Sequence, residues 1–287
     1  MNQVSTDFIG VIEAAIPRLS KGQKRIALYI VEHYDKAAYM TALALGAEAG
    51  VSESTVVRFA NEMGFDGYPQ LQAQIREAVR VRLTSVQRIN AANHRMEDDE
   101  VLDHVLTADA ENLRITLESV DREAFVRAVD MILGAQNIYL LGMRSSAVLA
   151  EFMNYYFGLL FDNVRLIRPA GGSEIFEHLM KVHREDVFVA ISFPRYTTGI
   201  VNATEYASRM GAGVIAITDS LSSPIVPHAD VTLVAKSEMA SFVDSLVAPM
   251  SLINAMIAYI GKKKQPEVTE TLSRLEQVWK DYNVYTK

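Results

Sequence analysis

ALALGAEAGVSESTVVRFANEMGF, residues Ala42 to Phe65, has the pattern of two short helices joined by a tight turn. Leu43 and Ala47, with Val56, Val57 and Phe59, have the spacing of apolar contacts between two short helices, and Gly50 is placed to make a tight turn between them. Ser52 reads as the N-cap of the second helix, its hydroxyl accepting from an otherwise unsatisfied backbone N–H, and Gly64, just past Met63, reads as the stop. Glu53, Ser54, Thr55, Arg58 and Asn61 are left for an outward face. An ordinary surface helix pair is the plainer alternative. Cap, turn, apolar spacing and exposed donors agree instead on a DNA-reading helix-turn-helix, in which the N-terminal part of the second helix enters the major groove and an arginine grips guanine or a phosphate.

Outward from this stretch the first section reads as all helix. Ser20 with Gln23 forms a capping-box start for a helix through Ile26, Ile30 and Val31, and Pro69 suits the first turn of a longer helix from about Gln70 towards Ile89. The net charge of −7 is unevenly distributed. Residues 1 to 95 hold eleven Lys or Arg against nine Asp or Glu, a net of +2, whereas the remainder holds seventeen against twenty-six, a net of −9. The phosphate-compatible part is therefore N-terminal, and the placement of Lys21, Lys24, Arg25, Arg58 and Arg76 matters more than the small sum. Ser52, Ser54, Thr55, Arg58 and Asn61, with Lys21, Lys24 and Arg25 on the preceding helix, form the expected DNA-binding set. Around Asn93 to Glu100 the chain lapses into NHRMEDDE, which has no apolar face. A domain boundary is expected there: residues 1–90 as the helix-turn-helix domain, 91–120 as a helical linker, and 121–287 as a second domain.

From Asn137 the grammar changes. The short apolar runs IYLLG, VRLI, VFVAIS, GVIAIT and VTLVA alternate with helix-period segments at Val148 to Leu160, Glu174 to Lys181 and Val201 to Met210. Runs of this kind predict a five-stranded parallel sheet covered by helices on both faces, a three-layer Rossmann-like α/β domain closed by helices at Phe242 to Ile260 and near Pro266 to Asp281. Ligands on such sheets sit at the carboxyl ends of the strands, beside helix N-termini. The loops there, Gly142 to Ser146, Ser192 to Thr198 and Thr218 to Ser223, are all rich in hydroxyls. Serine and threonine often merely cap helices after strands, but three such loops at one edge favour an anion site.

The segments LSKGQKRIALYIVEHYDKAAYMT and VSESTVVRFANEMGFDGYPQL resemble the helix-turn-helix domain of RpiR/MurR-type bacterial transcription regulators. The stretch from about Asn137 to Ala235 is similar to the SIS, or sugar isomerase, domain that follows it in those proteins. The resemblance implies a regulator that binds double-stranded operator DNA, senses a phosphosugar or carbohydrate derivative, and works as a homodimer or homotetramer. The downstream piece ITDSLSSPIVPHAD fits through Thr218, Asp219, Ser223, Pro224 and Asp230. Two loops depart from the family pattern. Where it has G-x-G-x-S the chain reads GMRSS, with Arg144 at a glycine position, and where it has S-x-S-G-x-T the chain reads SFPRYT, with Pro194 for a serine and Arg195 for a glycine. An arginine brings a fixed fork of donors for a carboxylate or phosphate. Arg144, Ser145, Ser146, Ser192, Arg195, Thr197, Thr198 and Thr218 are accordingly the expected effector-binding set for a small anionic metabolite. The arginines can equally pair internally with carboxylates such as Glu174 or Asp219.

Other chemistries find little support. The chain has no cysteine, its six histidines lack carboxylates at ligand spacing, and no P-loop is present, so neither metal nor cofactor is expected. Asp7 and Glu13 interrupt any signal-like run, and Asp244, Pro249 and Asn254 interrupt the most apolar one, which points to a cytoplasmic protein without a membrane span. A phosphosugar isomerase would need a base, for which Glu174, Glu238, His178 and His183 are candidates, and a ligand-free interaction module is a third possibility. The attached DNA-reading segment favours a non-enzymatic sensor. An oligomer interface is expected from surplus large residues on the helices around Val148 to Leu160 and Phe242 to Ile260, namely Phe152, Tyr155, Tyr156, Phe157, Phe161, Met250 and Met256.

Overall fold

A computed structural model describes residues 8–82, 84–93, 99–168, 173–239 and 242–285. The chain divides into two compact units, Met1–His104 with Ala240–Val243, and Val105–Met239 with Asp244–Lys287. Most of the expected boundary stretch lies outside the described residues.

The first unit is helical: α1 (Phe8–Ala15), α2 (Lys21–Glu32), α3 (Tyr34–Ala37), α4 (Ala42–Ala49), α5 (Glu53–Glu62), α6 (Tyr68–Arg82) and α7 (Ser85–Asn93). The Ser20–Gln23 capping box starts α2 as expected. Gly50 ends α4 with φ 64, and Gly64 follows α5 with φ 90, its neighbour Phe65 donating back to Ala60 O. Phe65 then packs edge-on against Phe8 of α1 at 5.5 Å. The apolar phase of α4 differs from the reading above. Leu45 and Ala49 are buried, while Leu43 is 66% exposed and Ala47 is also exposed; on α5, Val56, Phe59 and Ala60 are buried and Val57 faces outward. The expected helix from Gln70 to Ile89 is two helices, because Thr84 and Gln87 form a second capping box: Thr84 N donates to Gln87 Oε1 at 3.0 Å and Gln87 N to Thr84 Oγ1 at 3.2 Å. Tyr68, Gln72 and Arg76 share one face of α6 and bond the carbonyls of Met40, Met40 and Ala38 at 2.7, 2.6 and 3.4 Å. Arg76, a candidate phosphate contact by sequence, is thus committed to a structural role, stacked at 5.7 Å over Tyr39.

In the second unit α8 (Val101–Ser119, from Val105 onward) and α9 (Arg122–Gly134) precede an alternation of β1 (Ile138–Gly142), α10 (Ser146–Leu160), β2 (Val164–Leu166), α11 (Glu174–Leu179), β3 (Val187–Ile191), α12 (Thr198–Arg209), β4 (Gly213–Thr218) and β5 (Val231–Val234), followed by α13 (Val247–Lys263) and α14 (Gln265–Asp281). The sheet is wholly parallel in the order β2-β1-β3-β4-β5. Its pleat sends Ile138, Leu140, Val189 and Ile215 to a core shared with α9, α10 and α13, and Tyr139, Leu141, Phe188 and Ala216 to one shared with α11 and α12. Three layers result, as the continuous apolar runs predict. Helix α13 begins at Val247 rather than Phe242, because Ser245 Oγ donates to Asp109 on α8 at 2.5 Å and accepts from Val247 N at 3.3 Å, which holds the preceding turn out of the helix.

Helix α8, placed by sequence in a linker, is fastened to the segment that leaves β5. Asn112 is almost wholly buried; its amide donates to Glu238 O at 3.1 Å and accepts from Glu238 N at 3.2 Å. Thr116 Oγ1 accepts from Lys236 N at 2.9 Å. Two helical side chains thus satisfy backbone groups that a neighbouring strand would otherwise take. At the other end of the core, a side chain added at Gly142 would strike the backbone carbonyl of Ser146, so the first turn of α10 rests directly on the end of β1. Gly142→Ala is expected to destabilise the second unit by about 1–3 kcal/mol, since the obstacle is backbone and cannot rotate away. Chemical denaturation with an unchanged midpoint would contradict this packing.

Candidate functional site

Two surfaces are candidates for functional chemistry, one in each unit. In the first unit α2 packs across both α4 and α5. A side chain at Gly22 would sit 3.3 Å from the Thr55 methyl, and one at Gly50 would collide with the guanidinium of Arg25. These two glycines let α2 lie against the turn and the start of α5, and they seat Arg25 over the turn itself. Lys21, Lys24 and Arg25 occupy one side of α2, with Lys21 and Arg25 exposed and Lys24 half-buried.

Ser52 is the N-cap residue of α5, but its hydroxyl makes no capping bond. It lies instead 2.9 Å from the hydroxyls of both Ser54 and Thr55. Arg58 turns back along the helix and donates to Ser54 O at 3.3 Å and to Thr55 Oγ1 at 3.4 Å. Ser52, Ser54, Thr55 and Arg58 therefore form one connected polar patch at the start of α5, and Asn61 stands exposed one turn further along. The long bonds and exposure of Arg58 leave it free to extend towards a nucleic acid at small cost.

In the second unit the strand order reverses direction between β1 and β3, so the crevice at the carboxyl ends of these two strands is the topological switch point. The loops after β1 and β3 flank it, and side chains tie them together with the loop after β4. Thr197 Oγ1 points at the Met143 sulfur at 3.1 Å, and Tyr196 Oη donates to Asp219 Oδ1 at 2.8 Å. The expected hydroxyls separate into two groups. Ser145 and Thr198 are exposed at the starts of α10 and α12 and Thr197 is half-buried, whereas Ser146, Ser192 and Thr218 are buried. Thr218 donates to Asp219 Oδ1 at 3.2 Å and so supports its loop from inside. Ser220 and Ser222 bond each other at 2.7 Å.

Arg144 and Arg195 both adopt left-handed backbone, with φ 57 and φ 63. These are the two positions at which the chain replaces a glycine of the family pattern, and a non-glycine residue there stores conformational strain. Arg144 is exposed and lines a cavity of about 400 Å³ between the β1 loop, α10 and the end of β2. Arg168 and Glu151 line the same cavity and were not anticipated from sequence. Arg168 bonds both oxygens of Glu151, at 2.5 and 2.7 Å, which holds the Glu151 carboxyl below its usual range and the guanidinium above its own. The position of Arg168 just past β2 was the available signal; its pairing with a residue seventeen positions earlier was not. Arg195 does not line this cavity.

Of the four candidate bases, Glu174 is half-buried at the start of α11 and the others are scattered. His183 contacts Asp186 just before β3, at the amino edge of the sheet and opposite the crevice. His178 is exposed on α11, and the backbone of Glu238 is bound by Asn112. Among the described residues no group of three or more His, Asp and Glu is arranged to hold a metal ion, and no helix is long and apolar enough to cross a membrane.

Comparison with known proteins matches both units. Residues 7–80 match the helix-turn-helix domain of the rpiR family and residues 131–259 match the SIS domain. The HTH-type transcriptional regulator HexR of Escherichia coli is 25% identical over 284 residues, covering 94% of this chain and 93% of HexR. Among solved structures, the sugar isomerase domain of an RpiR transcription factor from Sphaerobacter thermophilus shares 28% identity with a TM-score of 0.60, covering 62% of this chain and 99% of that one. The Vibrio vulnificus NanR protein, solved with ManNAc-6P, shows the same fold at 17% identity and a TM-score of 0.60, covering 98% of this chain and 100% of its own. With an rpiR-type helix-turn-helix joined to a SIS domain, the chain belongs to the RpiR family of transcriptional regulators.

Proposed function

We propose that this regulator reads a specific operator through the start of α5 and adjusts its DNA affinity to a small anionic metabolite, of the sugar phosphate class, held at the carboxyl edge of its SIS sheet. The observation that carries the reading is the left-handed backbone at Arg144. A strained arginine exposed at a switch-point crevice, where glycine would be the relaxed choice, has a ready explanation if its charge is needed there. Exposed Ser145 and Thr198 and half-buried Thr197 add hydroxyl donors around the same loops, and the starts of α10 and α12 add their positive dipole ends. Arg195 and the buried Ser146, Ser192 and Thr218 shape the neighbouring loops, with Arg195 a second source of charge.

The chemistry of the site suits recognition without turnover. Of the basic groups named above, His183 sits at the wrong end of the sheet, and Arg144 at the crevice is a permanent cation that cannot abstract a proton. NanR was solved with a hexosamine phosphate, which supports the same ligand class for this chain's SIS unit.

On the DNA side, Arg58 is the residue expected to read a base or clamp a phosphate, with Ser52, Ser54, Thr55 and Asn61 beside it and Lys21, Lys24 and Arg25 adding phosphate contacts. Arg58→Ala is expected to cost about 1–3 kcal/mol of affinity for a selected duplex. An alanine variant that binds that duplex as tightly as the parent in a gel shift would refute the assignment.

Arg144→Gly tests the effector site in two directions at once. Glycine relieves the left-handed strain, so the melting temperature should stay level or rise, while loss of the charge should weaken binding of the anion by on the order of tenfold to a hundredfold. Calorimetry against sugar phosphates and small carboxylates gives the second readout. Undiminished affinity in the glycine variant would remove Arg144 from the site, and turnover of a bound phosphosugar would replace the sensor with an isomerase.

A further inference from the structure

The cavity beside Arg144 holds more polar chemistry than an anion alone requires. Among the described residues Arg144 has no ion-pair partner, whereas Arg168 in the same cavity is neutralised by Glu151. The space therefore carries one uncompensated positive charge and, apart from it, one fixed ion pair. Ala147, Ala150 and Glu151 fall on one side of α10, and the two alanines leave the helix face low between the polar ends. Glu151 stands five residues past Ser146, the first residue of α10, which is about 7.5 Å along the helix axis. One phosphate group cannot bridge that span, and one phosphorylated monosaccharide can.

The bonding of the pair points to the same kind of molecule. Arg168 Nε and Nη2 each donate to a different oxygen of Glu151, at 2.5 and 2.7 Å. A carboxylate has about four lone-pair sites and a guanidinium five N–H donors, so both partners keep capacity for a ligand. Arg168 also holds the Glu151 carboxyl below its usual range, so the acceptor stays ionised. A sugar hydroxyl both donates and accepts, and adjacent hydroxyls can bond both members of the pair without separating them. A second anionic group at this end would meet the negative charge of Glu151 and be repelled. Both side chains are exposed, and an exposed ion pair adds little to stability, so its ordered bidentate geometry is better matched to recognition than to folding.

We infer that Glu151 is the specificity-determining residue of this site, accepting from hydroxyls of a monosaccharide whose phosphate lies against Arg144, with Arg168 as the positioning residue that keeps the acceptor fixed. This assignment rests on the proposed effector site and adds to it the ligand's second half: a sugar monophosphate with adjacent free hydroxyls, in preference to inorganic phosphate or a dicarboxylate.

Calorimetry on the full-length protein tests it, with inorganic phosphate, succinate and a panel of hexose and N-acetylhexosamine 6-phosphates as probes. The parent protein should bind at least one sugar phosphate on the order of tenfold or more tighter than phosphate. Glu151→Gln keeps the size and removes the charge; it should leave phosphate affinity within about twofold and cut the preference for the sugar phosphate on the order of tenfold. Arg168→Ala should lower the same preference and Arg168→Lys restore part of it, at unchanged melting temperature, because lysine returns the charge without the planar fork. Phosphate binding with no tighter binding of any sugar phosphate, succinate bound as tightly as the best sugar phosphate, or an undiminished preference in Glu151→Gln would overturn the assignment and leave the anion site standing. A parent protein that binds neither phosphate nor any sugar phosphate would overturn both.

Discussion

The contact between Gly142 and the backbone of Ser146 is the constraint on which the second unit depends. It brings α10 down onto the end of β1 with no side chain between them, and the chain must then cover the distance from strand to helix in a very short loop. Left-handed backbone at Arg144 is the local solution. The same solution recurs at Arg195 after β3, on the other side of the switch point. A tight strand-to-helix turn thus holds one residue in an unusual conformation at the carboxyl edge of the sheet, and in this chain that residue carries a fixed positive charge.

The first unit uses its close approaches differently. Gly22 and Gly50 admit α2 to the turn between α4 and α5, so cationic side chains from one helix reach the start of the next. Ser52, Ser54, Thr55 and Arg58 bond one another rather than capping the helix backbone. Such a patch is held in place by weak, exposed bonds that DNA can exchange for its own, which keeps the desolvation cost of binding low. Elsewhere in the unit the carbonyls of Ala38 and Met40, ahead of α4, are tied down by Tyr68, whose burial pushes its phenol up to about 12, and by Gln72 and Arg76.

Much of this fold was legible in the sequence because its elements are written in strong periods. All five strands were expected from their short apolar runs, of which β1 and β3 are buried throughout as strands covered on both faces must be, and helices were expected after β1, β2 and β3. The phase of α4 was not legible: in ALALGAEA apolar and small residues fall on nearly every side, so Leu43 and Leu45 compete for the core and only tertiary packing chooses Leu45. The break between α6 and α7 was hidden because Thr84 and Gln87 interrupt a run that otherwise keeps its helical period. At the candidate site, the unusual backbone of Arg144 and Arg195 was foreshadowed by the glycines of the family pattern. The burial of Thr218 and the pairing of Arg168 with Glu151 are tertiary facts with no local signature. The clasp of Asn112 on Glu238, which builds α8 into the SIS unit, spans 126 positions and was equally invisible.

In the proposed mechanism, occupancy of the SIS crevice changes the affinity of the N-terminal unit for DNA. Fluorescence anisotropy of a selected operator duplex, titrated with the full-length protein in the presence and absence of each compound that binds the SIS unit by calorimetry, measures that coupling directly. A bound sugar phosphate is expected to shift the operator dissociation constant by roughly 5- to 150-fold, with the reciprocal shift in its own affinity when operator is present. A compound that saturates the crevice and leaves operator affinity unchanged would contradict it.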